Sequence, residues 1–395
     1  MMDQMIILGA GYAGMMTASH FDRRSAPFTL INKNPYHYFT TLLHEVAGGR
    51  AVASKYSVPL TDLLKKPTSH IMIDQVTAID RQRRMVHLES GEERFFDWLA
   101  ITLGSVPEYF GIPGLAKYSL VLDSLDAAKR IRTHIVREIE MYLRDRDIRH
   151  LRIVVGGGGL TGVELLGELL DWLPELCLTY DVDRKLFDLQ NIEASSGILP
   201  QLSRGLREQA TQLLTQKGAK LSFNKKIIKV SDGVVHLQGG EVLQAGTIIW
   251  TGGVRANPIL EEAGFSVDRR GRARVNEFLQ SVDDDHIFIG GDSAWCDGED
   301  GRPIPPTAQM AAQMGTVMAH NIEYAKYGQE MKSFHPHSMG TLASLGRQAG
   351  VGEVLGMPVH GMIGGMFKES TKVKYLWELG GLRLLGQRAN RVSNL

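Results

Sequence analysis

The feature that most constrains the fold is a glycine-rich turn that occurs twice, once near the N-terminus and once before the middle of the chain. Each copy follows a short apolar run and opens a segment with helical periodicity. In this context the glycines permit a strand-to-helix turn whose backbone approaches a pyrophosphate, which the helix N-terminus then stabilises. Two such turns predict two dinucleotides on one chain, and therefore electron transfer between them. The residues expected to line them are Gly9, Gly11 and Gly14 in the first turn and Gly156, Gly158, Thr161 and Gly162 in the second.

Composition narrows the class of protein. The 395 residues are enough for two or three domains, and 44 basic side chains balance 44 acidic ones, which argues against nucleic acid as a partner. The two cysteines, Cys177 and Cys296, make a disulfide framework unexpected. The sequence has no signal-peptide pattern and no apolar run near the roughly 18 residues of a transmembrane helix. We therefore expect an intracellular protein, soluble or peripheral to a membrane.

Hydrophobic periodicity arranges the chain as two repeats of strand, glycine turn, helix and strand. The predicted helices cover 12–21 and 160–173, and the strands that follow them cover 28–32 and 187–192. Other predictions are an antiparallel meander within 71–100, a linking amphipathic helix over 123–146, a helix from about 307 to 327, and a less regular region after Ser333. The predicted class is α/β with two Rossmann-like domains. The first combines 1–115 and 276–330, the second covers 116–275, and a C-terminal region follows over 331–395.

Residues at the predicted strand ends are candidates for contacts with the dinucleotides. Asn32-Lys33 stands where an acid usually holds the adenosine ribose, and asparagine can still hydrogen-bond a ribose hydroxyl. Glu193 has the acid's position in the second unit and would favour NADH over NADPH; the alternative is a solvated strand-end glutamate. Asp292 would accept hydrogen bonds from ribityl hydroxyls of a flavin, cap a helix, or do both. The glycines that would let a loop pass close to a cofactor are Gly104, Gly252 and Gly253; an ordinary strand-to-loop glycine is an equal alternative at Gly104.

A helix start is predicted at Thr307-Ala308-Gln309, because two prolines precede it. Its free N–H groups and positive dipole end would stabilise an anionic reduced flavin at the pyrimidine edge of the ring. One helical turn later, Gln313 lies on the same face as Gln309.

Taken together, these motifs resemble the two-dinucleotide flavoproteins of the glutathione-reductase-like fold. Among them, the chain is similar to the type II NADH:quinone oxidoreductases, which are the alternative, non-pumping NADH dehydrogenases. The resemblance runs nearly end to end and is carried by four segments: Asn32-Lys33-Asn34-x-Tyr36-His37-Tyr38, the second glycine turn continuing to Leu169, Trp250 to Arg255, and Pro306 to Gln313.

The resemblance implies FAD on the first unit, NADH on the second, and a membrane quinone, menaquinone or ubiquinone, on the opposite face of the flavin. Hydride would pass from NADH to flavin N5, and two electrons would pass on to the quinone. Gln309 and Gln313 would lie beside the quinone pocket, as would Lys368. Glu164 would point toward the flavin ring and relay a proton, with burial raising its pKa. From the residues alone, ordinary helix positions are the better explanation of Glu164 and Gln313, and a lysine that snorkels from the tail explains Lys368 equally well.

The last residues of the chain, 362–395, combine apolar and aromatic side chains with an excess of lysine and arginine. That composition is typical of a helix lying in a membrane interface, although a dimerisation or core-packing segment is the alternative. We expect a peripheral protein on the cytoplasmic face of the cell membrane, with a homodimer as one option.

The cysteine positions separate this chain from related chemistries. Disulfide reductases need a redox cysteine pair beside the flavin, and residues 36–49 contain none. Neither Cys177 nor Cys296 is placed for sulfide chemistry, so both are interpreted as packing thiols, and His44 and Glu45 as buried helix-packing residues. Two rival functions remain: a soluble NADH:acceptor flavin reductase, and a weakly catalytic flavoprotein that senses NADH.

Overall fold

The structure is a computed structural model that describes residues 4–298, 301, 303–361, 364, 375 and 377–379. The α-helices are α1 (Tyr12–Arg23), α2 (Leu43–Ala47), α3 (Leu60–Leu63), α4 (Leu115–Tyr118), α5 (Leu125–Asp145), α6 (Leu160–Tyr180), α7 (Arg204–Gln216), α8 (Ile259–Glu262) and α9 (Ala308–Lys326). The strands of the first half are β1 (Met5–Leu8), β2 (Phe28–Asn32), β3 (Tyr36–Tyr38), β4 (Ser57–Pro59), β5 (Ser69–Ile73), β6 (Val76–Asp80), β7 (Met85–Leu88), β8 (Glu93–Phe95), β9 (Trp98–Ile101), β10 (Ser105–Pro107), β11 (Leu120–Val121), β12 (Arg152–Gly156) and β13 (Asp188–Ile192). Those of the second half are β14 (Ala219–Ser222), β15 (Ile227–Ser231), β16 (Val234–Leu237), β17 (Val242–Gln244), β18 (Thr247–Trp250), β19 (Val254–Ala256), β20 (Ala273–Arg274), β21 (Ile287–Ile289), β22 (Ala294–Trp295), β23 (Gly340–Ser344), β24 (Gly350–Val354) and β25 (Met357–His360).

Two five-stranded parallel sheets form the framework. The first has the order β21-β9-β1-β2-β5, and the second has the order β11-β18-β12-β13-β14. In the first sheet, Ile7 of β1 lies opposite Leu30 on one side and Ala100 on the other. In the second, Val154 of β12 lies opposite Gln190 and Ile248. The central strand of each sheet therefore delivers one glycine turn at its carboxyl end, where ligands bind in open parallel sheets.

The expected antiparallel meander is shorter than its predicted range. Only β6, β7 and β8 pair antiparallel, whereas β5 and β9 join the first parallel sheet beside β2 and β1. The sequences of β5 and β9 do not indicate parallel pairing, because the strands beside them in the sheet are distant in the chain. A second three-stranded antiparallel sheet, β15-β16-β17, occupies the matching place in the second unit. The two units thus repeat one plan, and β10 and β19 pair across them.

Helix α6 continues beyond its predicted end at Leu173 and runs through Pro174 to Tyr180. A proline inside a helix removes one backbone hydrogen bond and costs about 3 kcal/mol. Burial of Trp172, Leu173 and Leu176 on the same helix offsets that cost. The segment from Pro174 onward is therefore largely helical and lengthens the path between the second glycine turn and β13.

The region after Ser333 is more regular than the sequence predicted. Strands β23, β24 and β25 form an antiparallel sheet, with Leu342 opposite Gly352 and Gly352 opposite Val359. This sheet packs on α6, where a Cβ at Gly167 would lie 2.5 Å from the Leu345 carbonyl carbon. The contact places Ser344 beside the first half of α6. The prediction was wrong here because these short strands contain several glycines and lack clear alternation.

Among the described residues, the structure contains no helix long and apolar enough to cross a bilayer. The expected membrane-associating segment, 362–395, lies outside the described residues apart from 364, 375 and 377–379. Of these, Trp377 is exposed, whereas Tyr375 and Leu379 are buried.

Candidate functional site: two dinucleotide turns and a buried carboxylate network

Both glycine turns are held in the same way. The Gly9 N–H donates to the Ile31 carbonyl at 2.8 Å, and the Gly157 N–H donates to the Ile192 carbonyl at 2.9 Å. Each bond ties the turn to the neighbouring parallel strand, β2 or β13. The turn therefore cannot move independently of its sheet.

A threonine hydroxyl locks each turn from the other side. Thr102 Oγ1 donates to the carbonyls of Leu8 and Gly9, and Thr251 Oγ1 donates to those of Gly156 and Gly157. The third glycine of each turn makes this packing possible. A Cβ at Gly14 would overlap the Gly9 oxygen and lie 2.5 Å from Thr102 Oγ1, whereas one at Gly162 would lie 2.6 Å from Thr251 Oγ1.

Open space lies beside the residue that precedes each helix. Gly11 caps α1 and Gly159 caps α6, and a Cβ at either position would meet no atom within 4 Å. The first N–H groups of a helix have no acceptor inside the helix, and the dipole makes this end positive. Each turn thus combines room, free donors and positive potential, so its residues fit a pyrophosphate. Thr161, at the second position of α6, is exposed on this side.

Glu193 lies directly beside the second turn. Its carboxylate accepts from Gly158 N–H at 2.5 Å and from Ser195 N–H at 2.6 Å. Each carboxylate oxygen can accept a further hydrogen bond, so this geometry is compatible with a ribose hydroxyl as an additional donor. Asn191 supports the same turn from below, because its amide donates to the carbonyls of Val155 and Gly157.

Asn32 has the corresponding place in the first unit but makes different contacts. Its side-chain oxygen accepts from Ala10 N–H at 2.9 Å, and its amide donates to the Asn34 carbonyl at 2.7 Å. The side chain therefore orients the turn, and any ribose contact would use the remaining capacity of its oxygen. Lys33 is exposed.

Gly104 and Asp292 lie on neighbouring strand ends of the first sheet. Ser105 Oγ donates to Asp292 Oδ2 at 2.8 Å, and Gly104 N–H donates to Ser293 Oγ at 3.0 Å. Burial raises the pKa of Asp292 above its ordinary value, and the Ser105 hydrogen bond opposes that shift. Asp292 is in a short 3₁₀ turn rather than at the N-cap of an α-helix. In the second unit, Gly252 and Gly253 follow β18. A Cβ at Gly252 would meet the Trp250 ring, whose Nε1 donates to the Glu108 carbonyl, and a Cβ at Gly253 would meet the Phe110 ring.

Helix α9 begins where the two prolines and Thr307 predicted. Thr307 is its N-cap, and Thr307 Oγ1 accepts from Met310 N–H at 3.2 Å, leaving the N–H groups of Ala308 and Gln309 at the open helix end. The side chains of Gln309 and Gln313 both bind the backbone of His337. The two amides donate to its carbonyl at 2.7 and 2.8 Å, and Gln313 Oε1 accepts its N–H at 2.9 Å.

Glu164 is buried on the first turns of α6. One carboxylate oxygen accepts from Ser344 N–H at 3.0 Å, and the other lies 3.4 Å from His44 Nδ1. His44 is itself buried in α2. The interpretation of His44 as a mere packing residue is therefore incomplete, since its ring also lies beside this carboxylate.

One turn further along α6, Glu168 is fully buried and paired with Arg50. The guanidinium binds both carboxylate oxygens, at 2.5 and 3.0 Å, and its third nitrogen lies 3.3 Å from Glu45. Burial raises the pKa of Glu168 to about 7, against the lowering effect of Arg50. Tyr56 donates a short hydrogen bond to Glu45 and closes the cluster.

The two cysteines are not arranged as a redox pair. Cys177 lies on α6, Cys296 follows β22, and both are free. Burial raises the pKa of Cys296 to about 11, which keeps it a protonated thiol. Lys368, the remaining sequence candidate, lies outside the described residues.

Comparison with known proteins agrees with this geometry. Residues 3–315 match the family described as pyridine nucleotide-disulphide oxidoreductase, so fold and turns define a two-dinucleotide oxidoreductase. The type II NADH:quinone oxidoreductase of Staphylococcus aureus is 35% identical over 96% of this chain and 97% of the relative, and that of Staphylococcus epidermidis is 34% identical over the same shares. The chain belongs to the type II NADH:quinone oxidoreductase family. The resemblance inferred from its motifs is confirmed.

Solved structures show the same fold. NDH2 from Plasmodium falciparum in complex with NADH has a TM-score of 0.87 at 18% identity, covering 97% of this chain and 96% of that chain. The sulfide:quinone oxidoreductase from Aquifex aeolicus has a TM-score of 0.76 at 18% identity, covering 95% and 91%. These likenesses confirm the predicted α/β architecture with two dinucleotide-binding units.

Sequence reasoning missed the two threonines that lock the turns. A signal was present, because Thr102 and Thr251 each follow a strand beside the central one and precede the glycines 104 and 252–253. It also missed the roles of His337 and Ser344. Both contribute backbone groups, which leave no mark on residue type.

Proposed function

We propose that this protein is a non-proton-pumping NADH:quinone oxidoreductase that holds FAD at the first turn and NADH at the second. The main support is the pair of equivalent turns. Each has an N-cap glycine with free space beside it and a threonine hydroxyl that hydrogen-bonds the turn. Membership of the family supports the same reaction. The domain limits proposed for it are 1–115 with 276–330 for FAD, and 116–275 for NADH. FAD, when bound, accepts hydride from NADH and delivers two electrons to the quinone.

The residues of the chain contribute positioning and charge. In this proposal, Glu193 accepts from the ribose hydroxyls of NADH and disfavours a 2′-phosphate by charge repulsion. Asp292 orients the ribityl chain, and the start of α9 directs its N–H groups and dipole at the pyrimidine edge of the flavin. The geometry that supports these roles is the Gly158–Glu193 hydrogen bond, the Ser105–Asp292 hydrogen bond and the cap at Thr307.

Two sets of residues are proposed for the quinone side. Gln309 and Gln313 position the segment around His337 at the quinone pocket, since both amides are bound to its backbone. Glu164 holds or moves a proton, with His44 as its buried partner. Lys368 stays a prediction near the same cavity. We further propose that the protein is peripheral, on the cytoplasmic face of the membrane, with the basic and aromatic tail as the contact.

The decisive experiment is anaerobic mixing of the flavin-loaded protein with NADH, followed by a short-chain menaquinone, with flavin absorbance recorded throughout. We expect bleaching by NADH and rapid recovery with quinone. Bleaching without recovery would support a reductase for another acceptor or an NADH sensor. Absence of bleaching would exclude the proposed reaction.

A variant tests the assignment of Glu164. Glu164→Gln keeps a side-chain oxygen for the Ser344 N–H but cannot exchange a proton near neutral pH. We expect FAD content and bleaching by NADH to persist while turnover with quinone is lost. Unchanged steady-state kinetics would remove Glu164 from the mechanism.

A further inference from the structure

A histidine connects the first glycine turn to the far C-terminal region. His37 lies on β3, is buried, and its Nδ1 lies 2.8 Å from the carbonyl oxygen of Ala10, inside the turn. Its Nε2 lies 3.2 Å from the hydroxyl of Tyr375. The contact joins residues 338 positions apart.

Tyr375 is firmly seated against the start of α1. The centroid of its ring lies 4.6 Å from the ring centroid of Tyr12, the first residue of the helix, and 6.0 Å from that of Phe39. Two further residues of the same region also contact α1 or the core: the Glu378 carbonyl accepts from Arg23 at 3.3 Å, and Leu379 is buried. Tyr375 and Glu378 therefore both contact α1.

The donors and acceptors fix the tautomer of His37. A carbonyl oxygen only accepts, so the ring must carry its proton on Nδ1 to bond Ala10. In a neutral ring Nε2 is then an acceptor, and the Tyr375 hydroxyl supplies the donor. Burial raises the pKa of Tyr375 well above its ordinary value of 10.0, so the hydroxyl keeps its proton.

The same peptide group is part of the turn at the proposed phosphate site. The carbonyl of Ala10 and the N–H of Gly11 belong to one peptide bond, and Gly11 is the N-cap of α1. A hydrogen bond accepted by a peptide carbonyl polarises the group and strengthens its N–H as a donor, by about 10–30% per bond in a chain. The Ala10 N–H is meanwhile held by Asn32.

We propose that Tyr375 and His37 are positioning residues for FAD, and that the Tyr375 hydroxyl, by hydrogen-bonding Nε2 and holding the His37 ring in place, keeps the Ala10–Gly11 peptide oriented and polarised toward the pyrophosphate. This inference rests on the proposed placement of FAD at the first turn. It makes the docking of the C-terminal region a determinant of flavin retention. Without the hydroxyl, the His37 ring loses the Tyr375 contact that holds it, and its Nδ1–H bond to the Ala10 carbonyl weakens.

The test is Tyr375→Phe in the full-length, flavin-loaded protein, which keeps the ring packing and removes the hydroxyl. Tyr38→Phe is the matched control, because Tyr38 is on the same strand as His37 and its hydroxyl donates to the Asp123 carbonyl instead. FAD release after dilution is followed by flavin fluorescence. We expect release to be about two- to tenfold faster in Tyr375→Phe, the range of one hydrogen bond, and unchanged in Tyr38→Phe.

A second readout separates this role from general packing. Nitrogen-15 NMR of histidine-labelled protein, with the His37 signal assigned by His37→Gln, should show the Nδ1–H tautomer in the wild type and a shifted Nε2 signal in Tyr375→Phe, where the hydrogen bond to the hydroxyl is lost. Equal release rates, equal effects of the two tyrosine variants, or an unaltered Nε2 signal would each overturn the inference. Wild-type protein that binds no FAD would overturn the proposed function as well, which distinguishes the two failures.

Discussion

The buried pair of Glu168 and Arg50 makes a quantitative prediction about stability and pH. Glu168 is fully buried on α6, and its pKa rises from the ordinary 4.5 to about 7, chiefly because burial disfavours the charged form. The folded state therefore holds the proton more tightly than the unfolded state. Between pH 4.5 and about 7 the folded protein binds more protons, so this carboxyl lowers the free energy of unfolding as the pH rises.

The perturbation is Glu168→Gln, a neutral side chain of nearly the same shape. At 1.36 kcal/mol per pH unit, the rise in pKa corresponds to a loss of about 3 kcal/mol in the wild type above pH 7. The variant has no such loss. We expect the free energy of unfolding of the variant, relative to the wild type, to rise by up to about 3 kcal/mol from pH 4.5 to pH 8, on top of a constant offset from the changed contact with Arg50.

The assay is urea unfolding of both proteins at several pH values from 4.5 to 8, read by tryptophan fluorescence. Glu175→Gln serves as the control, because Glu175 is on the same helix but exposed and pairs with Arg347 at the surface. The difference in unfolding free energy between Glu175→Gln and the wild type should not change with pH in this way. A Glu168→Gln difference that is constant with pH, or that grows toward acid, would refute the reasoning.

Three other substitutions test the second turn and the quinone side. Gly159→Ala places a Cβ where no protein atom lies within 4 Å, so the unfolding midpoint should not change. The affinity for NADH, measured by titration, should fall at least about tenfold, because the Cβ occupies the proposed pyrophosphate position. Retained affinity would show that the pyrophosphate does not bind there. Gln313→Ala loses two hydrogen bonds to His337 and Gln309→Ala loses one, at about 1 kcal/mol each. The KM for a short-chain menaquinone should therefore rise more in Gln313→Ala; the reverse order would indicate that each glutamine contacts quinone independently.

The sequence was most informative where function depends on local backbone geometry. A glycine turn between a strand and a helix is a contiguous segment, and its residue types are fixed by close backbone approach and phosphate binding. Helix α5 was also predictable from the sequence, because its apolar residues recur at helical spacing and Ser124 caps it. The start of α9 was marked by two prolines and Thr307.

The partners of the site residues could not be predicted from the sequence, because they lie far away in the chain. Glu164 meets Ser344 across 180 positions, and Glu168 meets Arg50 across 118. The glutamines bind a backbone group whose residue type is irrelevant to the contact. The two strands flanking the first meander also joined the parallel sheet, since pairing there depends on neighbours distant in sequence.

The sequence by itself determined the two dinucleotide turns, the order of the two units and the family to which the chain belongs. Each of these follows from short contiguous motifs whose backbone conformation restricts residue type. Only the tertiary structure decided that Asn32 orients a turn, that His44 lies against Glu164, and that His37 joins Ala10 to Tyr375. Those contacts form when the sheets and helices pack, and packing brings together side chains that no local pattern relates.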